Sequence, residues 1–148
     1  MRLVITESFA QSSRLAADWI AALVREKPDA LLGCATGSSM EGIYREVSED
    51  CRLGRADFSA LRAFNLDEYA GLSREHPQSL AFFLDAHLLR KLQARERAFL
   101  WQGGCADPAG ELARYNAYLA DHPADLLLLG IGSNGHIGFN EPGPRFPA

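Results

Sequence analysis

The stretch ALLGCATGSSMEGIYREVSED, residues 30–50, runs from an apolar segment through a small polar turn into an amphipathic pattern. Its first five residues have the unbroken hydrophobicity of a strand that is buried on both faces. A helix is predicted to follow the turn, with Ser38 and Glu41 as its capping box. A buried strand that leads directly into a helix is the repeating unit of an α/β fold.

The rest of the chain repeats this alternation of short apolar runs and helical patterns. Strands are predicted at residues 3–6, 30–34, 61–66, 98–101 and 125–131. Helices are predicted after a capping box of Ser8 and Gln11, and in the segments SSMEGIYREVSED, SLAFFLDAHLLRKL and ELARYNAYLA. This order predicts a doubly wound, mainly parallel sheet with helices on both faces, of the Rossmann-like class. With 148 residues, we expect one domain, residues 1–148.

Composition argues against several classes of function. The net charge is −4, and the 15 basic residues are scattered along the chain, which disfavours binding to nucleic acid or to an anionic membrane. Cys34, Cys51 and Cys105 form no CxxC pair, as is typical of reduced thiols. No segment has the length of a signal-peptide core or a membrane span, so we expect a cytoplasmic protein.

Polar residues follow directly after two of the inner strands, where α/β sheets bind their ligands. The turn at residues 36–39 precedes a helix, so its N–H groups and hydroxyls are suited to an anion; simple capping by Ser38 is the alternative. Asp67 and Glu68 end the next strand and point to opposite sides of an extended chain. One of them can therefore enter the site as a general base, although a helix cap or loop organiser is equally compatible.

The last apolar run leads into LGIGSNGHIGFNEPG, residues 129–143. Its Gly-x-Gly-x-x-Gly pattern lacks the helix and the acidic residue of a dinucleotide site, so we reject nucleotide binding. The loop offers His136 near Glu141, a pair suited to proton exchange near neutral pH. A histidine satisfied by loop backbone, or a metal ligand without an obvious third partner, are the alternatives. The three turns together predict proton-transfer chemistry on a small phosphorylated metabolite.

Three segments, LGCATGSSMEGIYRE, FNLDEYAGLSREHPQS and LGIGSNGHIGFNEPG, resemble the glucosamine-6-phosphate deaminase family. The match runs through nearly the whole chain in the right order, and NLDEYAGL and NGHIGFNEPG are its specific parts. The related 6-phosphogluconolactonases share the fold and a Gly-His turn but not the Phe-Asn-Glu-Pro ending. The resemblance implies aldose–ketose isomerisation and deamination of glucosamine 6-phosphate to fructose 6-phosphate and ammonia. We expect an enzyme of hydrolase class in amino sugar metabolism and N-acetylglucosamine catabolism.

The resemblance also implies a role for each matching residue. Asp67 would take the C2 proton, His136 would open the pyranose ring, and Glu141 would support His136. Asn134 stands where some family members have aspartate, and it can orient His136 by hydrogen bonding without compensating its charge. The implied phosphate- and substrate-binding residues are Thr36, Gly37, Ser38, Ser39, Glu68 and Gly135. No metal or organic cofactor is implied.

Family members continue well past the NEPG loop, so the resemblance implies that this chain is truncated. The missing part would carry the remaining basic phosphate ligands, and the last strand is expected to lie at an open edge. The expected partner is a small amino sugar phosphate, with no nucleic acid and no membrane; a homo-oligomer is one alternative for assembly. Two other functions stay open, a 6-phosphogluconolactonase-like hydrolase and a non-catalytic sugar-phosphate-binding fragment.

Overall fold

A computed structural model describes residues 2–143 of the chain. Its helices are α1 (Phe9–Glu26), α2 (Ser38–Arg52), α3 (Leu80–Leu84) and α4 (Pro108–Asp121). A π-helical turn (Asp85–Leu89) follows α3, and a 3-10 turn (Arg95–Arg97) precedes the third strand. The strands are β1 (Leu31–Cys34), β2 (Arg62–Asn65), β3 (Ala98–Phe99) and β4 (Leu126–Leu127). Within residues 2–143, none of the helices has the length and apolar character needed to cross a membrane.

The four strands form one parallel sheet in the order β3-β2-β1-β4. The chain moves outward from β1 to β2 and β3, and then returns to the other side of β1 to form β4. The strand order therefore reverses between β1 and β4. Open α/β sheets bind ligands at such a reversal, beyond the carboxyl ends of the strands.

Helices cover both faces of the sheet, which confirms the doubly wound prediction. Side chains alternate between the two faces along each strand. On one face, Leu32 and Ala63 join a core formed with α1, α2, α3 and the π-helical turn. On the other face, Leu31 and Phe64 pack against Tyr115 of α4.

Two predicted strands differ from the structure. Residues 3–6 form no strand, because they pair with no other strand in the described part of the chain, and Ile5 is 87% exposed. The long apolar run at residues 125–131 contributes only the two residues of β4. Leu126 and Leu128 pack against the core, whereas Leu127 and Ile131 on the other face are 44% and 76% exposed. Within residues 2–143, β4 pairs only with β1, so it is an edge strand covered on one face.

The two long N-terminal helices begin differently. Helix α1 has the predicted N-cap, with the Ser8 hydroxyl accepting a hydrogen bond from the Gln11 N–H at 3.2 Å. The other half of the predicted capping box differs, because the Gln11 side chain accepts from the Glu7 N–H at 2.7 Å and not from that of Ser8. The capping box predicted for Ser38 and Glu41 is wrong, because Gly37 is the N-cap and Ser38 is already helical. Gly37 has φ of +102°, a conformation that favours glycine. No described side chain caps α2, so its first N–H groups stay available to a ligand.

A buried carboxylate joins α1 to α2. Asp50 on α2 is 3% exposed, and its Oδ1 accepts hydrogen bonds from Arg14 at 3.0 Å and from Arg55 at 2.8 Å. Burial alone would raise the pKa of Asp50, but the hydrogen bonds and charges of the two arginines outweigh it and lower the pKa.

Replacing Asp50 by Asn should lower the free energy of unfolding by about 2 kcal/mol near neutral pH, because hydrogen bonds to charged groups contribute roughly 1.5–3 kcal/mol. Since the folded pKa of Asp50 is lowered, its contribution is complete above the pKa of the unfolded carboxyl and is lost as the pH falls through the folded pKa. Urea unfolding at several pH values measures this difference. The exposed Glu26 at the end of α1, replaced by Gln, is the matched control. A difference between wild type and Asp50→Asn that stays constant down to acidic pH would contradict the assignment.

Candidate active site

A cavity of about 430 Å³ opens at the carboxyl ends of β1, β2 and β4. Its walls come from the turn after β1, the loop after β2 and the loop after β4. These are the three segments that the sequence predicts to carry the chemistry. Because β1 and β4 border the reversal of strand order, the cavity lies at the place where the fold itself favours ligand binding.

The turn after β1 lines one wall of the cavity. All four predicted phosphate-binding residues of this turn lie there: Thr36, Gly37, Ser38 and Ser39. The N-terminus of α2 points its uncapped N–H groups into the same region, and the helix dipole favours a negative charge. Backbone donors and hydroxyls together can therefore bind the anionic group of a ligand.

Asp67 follows β2 and also lines the cavity. Its side chain is half-buried, and its backbone carbonyl accepts a hydrogen bond from the Asn65 side chain at 2.8 Å. Burial raises the pKa of Asp67, and the negative charge of Glu68 raises it further. A carboxylate with a raised pKa is a better proton acceptor, so Asp67 is suited to general-base chemistry.

Glu68 points away from the cavity, as the alternation of side chains along the chain predicts for one of the two acids. It is 9% exposed and absent from the cavity wall. Its carboxylate accepts hydrogen bonds at the start of α3, from the N–H groups of Tyr69, Leu80 and Ala81 and from the Ser79 hydroxyl. The structure thus separates Glu68 from the predicted phosphate-binding residues at positions 36–39.

His136 lines the cavity and is oriented by Asn134. The Nδ1 of His136 lies 2.6 Å from Asn134 Oδ1, and the amide group of Asn134 donates to Glu141 Oε2 at 2.7 Å. Because Asn134 Oδ1 can only accept, Nδ1 of the ring carries a proton, which leaves Nε2 to exchange protons in the neutral ring. Glu141 Oε1 is 3.9 Å from His136 Nδ1, so its hydrogen-bonded path to the ring runs through Asn134.

The remaining predicted residues of this loop lie beside the cavity. Asn134, Gly135 and Glu141 are exposed and are absent from its wall. Gly135 occupies a turn, where its N–H bonds to the Gly132 carbonyl at 2.9 Å. Within residues 2–143, no helix begins at Gly135, in agreement with the rejected dinucleotide motif. Over the same residues, no three His, Cys, Asp or Glu side chains form a group that could hold a metal ion.

Two aromatic residues at the cavity were missed by the sequence analysis. Tyr69 and Phe139 come from different loops and both line the cavity. Their ring centroids are 5.4 Å apart, and the side chains are 47% and 56% exposed. An aromatic residue next to polar ones in a loop after a strand, as in DEY and GFN, is the signal that could have identified them.

The close approach of Gly132 to His136 gives a test of the loop geometry. A Cβ at position 132 would overlap the imidazole ring of His136, whereas a Cβ at Gly130 would lie at an ordinary 3.6 Å from Ser39 Oγ. Gly132→Ala should therefore displace the ring and break its hydrogen bond to Asn134, while Gly130→Ala should leave both unchanged. Nitrogen-15 NMR of the imidazole reports this directly. Identical imidazole spectra in the two variants would contradict the described packing.

Curated relatives are similar over the whole chain. The chain is 42% identical over 150 residues to a glucosamine-6-phosphate deaminase of Geobacillus sp. (strain WCH70). This alignment covers 100% of this chain and 60% of that relative. It is 50% identical over 115 residues to a glucosamine-6-phosphate deaminase of Streptococcus sanguinis (strain SK36), covering 78% of this chain and 47% of the relative. The chain therefore spans about three fifths or less of the length of these relatives.

Solved structures have the same fold. A monomeric glucosamine-6-phosphate deaminase superposes with a TM-score of 0.92 at 37% identity, over 100% of this chain and 62% of that one. A 6-phosphogluconolactonase from Leishmania guyanensis superposes with a TM-score of 0.74 at 24% identity, over 94% and 63% of the two chains. The second similarity bears on the fold alone.

These relatives correct the expected enzyme class. We expected a hydrolase, and that classification is wrong, because the similar proteins are deaminases of an isomerase family.

The protein-family comparison agrees with the cavity and with the relatives. The model described as "Glucosamine-6-phosphate isomerases/6-phosphogluconolactonase" matches residues 6–138. This match includes the turn after β1, the loop after β2 and His136. The chain therefore belongs to the glucosamine-6-phosphate isomerase/6-phosphogluconolactonase family.

Proposed function

We propose that the protein converts glucosamine 6-phosphate into fructose 6-phosphate and ammonia, and that this chain supplies the groups that move protons. The observation that carries the proposal is the meeting of Asp67, His136 and the N-terminus of α2 in one cavity. This reaction needs three groups: a half-buried carboxylate, an oriented imidazole and an anion-binding turn. The deaminase relatives support the choice of substrate.

Substrate binding begins with the phosphate. The turn at residues 36–39 binds it through uncapped N–H groups and hydroxyls, which places the sugar ring toward Asp67 and His136 on the opposite walls. Tyr69 and Phe139 stand at the same cavity and contribute apolar ring surface to the sugar.

His136 performs the ring opening. Its Nε2 transfers a proton between the anomeric hydroxyl and the ring oxygen, so that the pyranose opens to the aldehyde. Asn134 holds Nδ1 and so keeps Nε2 directed to the ligand, and Glu141 in turn holds the amide of Asn134.

Asp67 performs the proton shift. Its carboxylate takes the C2 proton of the open sugar while O1 receives a proton from solvent, which gives an enolamine. Asp67 then returns the proton to C1 as the amino nitrogen releases one proton to solvent. The C2 carbon then carries an imine, and ammonia leaves as water supplies the ketone oxygen of fructose 6-phosphate. The raised pKa of Asp67 suits a group that must both accept and return a proton.

The test compares the chain alone with a fusion to the C-terminal two fifths of the Geobacillus relative. We expect the chain to bind fructose 6-phosphate in calorimetry and the fusion to release ammonia from glucosamine 6-phosphate. Hydrolysis of 6-phosphogluconolactone without ammonia release would overturn the proposal. Binding without turnover in both proteins would instead indicate a non-catalytic sugar-phosphate-binding module.

Three further predictions belong with this proposal. We propose that residues 1–148 form one domain and that the protein assembles as a homo-oligomer. A charged sugar phosphate is retained inside cells, so the cytoplasm is the proposed location. Sedimentation of the chain and of the fusion measures the assembly state.

A further inference from the structure

Glu68 is a buried carboxylate that is stabilised by hydrogen bonds from neutral N–H and O–H groups. Its Oε1 accepts from the N–H groups of Tyr69 at 2.8 Å and Leu80 at 2.9 Å, and its Oε2 accepts from Ser79 Oγ at 2.7 Å and Ala81 N–H at 2.9 Å. Within residues 2–143, Glu68 forms no ion pair with a basic residue. A buried carboxylate without an ion-pair partner is stable only when hydrogen-bond donors satisfy the lone pairs of its oxygens.

The hydrogen bonds of Glu68 join two elements of the cavity. Tyr69 belongs to the loop after β2, whereas Leu80 and Ala81 are the first residues of α3. Leu80 and Tyr69 both line the cavity. Glu68 therefore connects two walls of the cavity from behind.

Asp67 lies between this anchor and a second one. Asn65 is fully buried; its side-chain amide donates to the Asp67 carbonyl at 2.8 Å and its Oδ1 accepts from the Trp101 N–H at 2.8 Å. The backbone is thus held by Asn65 on one side of Asp67 and by Glu68 on the other. The Asp67 side chain is directed to the cavity while its neighbours are fixed in the protein interior.

We propose that Glu68 is a positioning residue: by tying the loop after β2 to the start of α3, it fixes the carboxylate of Asp67 in the cavity. The inference rests on the proposed function of Asp67 as the base. This positioning role differs from substrate binding, because the Glu68 carboxylate is hydrogen-bonded to protein donors and is absent from the cavity wall.

A carboxylate fits this set of donors better than an amide does. An amide at position 68 would place its own NH₂ group against at least one backbone N–H, because each oxygen of Glu68 accepts from a backbone N–H. The negative charge has a second effect, since it raises the pKa of Asp67. The other titratable groups near Asp67 are Tyr115 of α4, whose pKa is raised by burial and by the Asp67 charge, and His136 across the cavity.

The test uses Glu68→Gln, which removes the charge, and Glu68→Asp, which keeps the charge but shortens the reach. Carbon-13 NMR of the Asp67 carboxyl and hydrogen exchange of residues 66–70 are measured in the full chain, so neither needs turnover. Ammonia release is measured in the fusion described above. Glu26→Gln, at the exposed end of α1, is the control.

We expect Glu68→Gln to lower the pH at which Asp67 titrates and to speed exchange in the loop. We expect kcat to fall about 10- to 100-fold with little change in KM, as for a small displacement of a catalytic group. Glu68→Asp should leave the titration of Asp67 unchanged and should lose less activity than Glu68→Gln. This second variant also tests the proposal if Glu68→Gln does not fold. Two results would overturn the proposal. One is a Glu68→Gln variant in which the titration of Asp67 and the hydrogen exchange of residues 66–70 are unchanged. The other is a Glu68→Asp variant with wild-type kcat and wild-type hydrogen exchange of these residues. If loop and titration change as expected but the unmutated fusion releases no ammonia, the proposed function fails and the anchoring stands.

Discussion

Exchange of the C2 proton of glucosamine 6-phosphate with solvent is expected to fall about 10²- to 10⁴-fold when Asp67 is replaced by Asn, the range over which a general base contributes. The amide keeps the size and polarity of the side chain but cannot take a proton. Binding of fructose 6-phosphate should persist, because the phosphate is held on another wall of the cavity by the turn at residues 36–39. Deuterium exchange followed by proton NMR measures the first quantity, and calorimetry measures the second.

The pH dependence of the same exchange tests the environment of Asp67. Burial and the nearby Glu68 raise the pKa of Asp67, and only its deprotonated form acts as a base. The exchange rate should therefore fall as the pH drops through a midpoint above about 3.9, the ordinary value for aspartate. Asp121→Asn, at the exposed end of α4, is the matched control. Exchange that survives in Asp67→Asn would remove Asp67 from its role.

The order of the elements was predictable because local patterns decide it. Runs such as residues 31–34 are apolar throughout, and the amphipathic segments between them bury one side. Parallel strands then bring their carboxyl ends to one edge of the sheet, which is why Asp67 and His136 could be expected in one site. None of these steps requires knowledge of a contact between distant residues.

The features that were not predictable depend on such contacts or on backbone conformation. The capping box at Ser38 failed because the left-handed φ of Gly37 moves the helix start by one residue. Alternation predicts that one of Asp67 and Glu68 enters the site and the other does not, but which of them turns inward depends on donors of α3, 12 and 13 residues beyond Glu68. Residues 126–129 are all leucine, yet only one face of β4 is covered, so hydrophobicity alone overstates its burial.

Replacing His136 by Gln is expected to slow ammonia release from glucosamine 6-phosphate about 100-fold, within the range for a general acid–base group. Glutamine can still bond to Asn134 but cannot carry a proton between the anomeric hydroxyl and the ring oxygen. The defect should be specific to the closed sugar. A 4,5-dideoxy analogue lacks both hydroxyls that can close a ring onto C1, so it stays open and its C2 proton should still exchange at nearly the wild-type rate in the fusion protein.

This comparison separates ring opening from the proton shift. If His136 acts only on the ring, Asp67→Asn abolishes exchange with both substrates, whereas His136→Gln affects the cyclic one alone. The exposed His76, replaced by Gln, controls for loss of a surface imidazole. Equal losses on the cyclic and acyclic substrates would place His136 in the proton shift itself, next to Asp67. Because the two side chains line the same cavity on different loops, the double variant tests the same point on the cyclic substrate. A double variant no slower than the slower single variant indicates separate steps, whereas losses that multiply indicate independent contributions to one step.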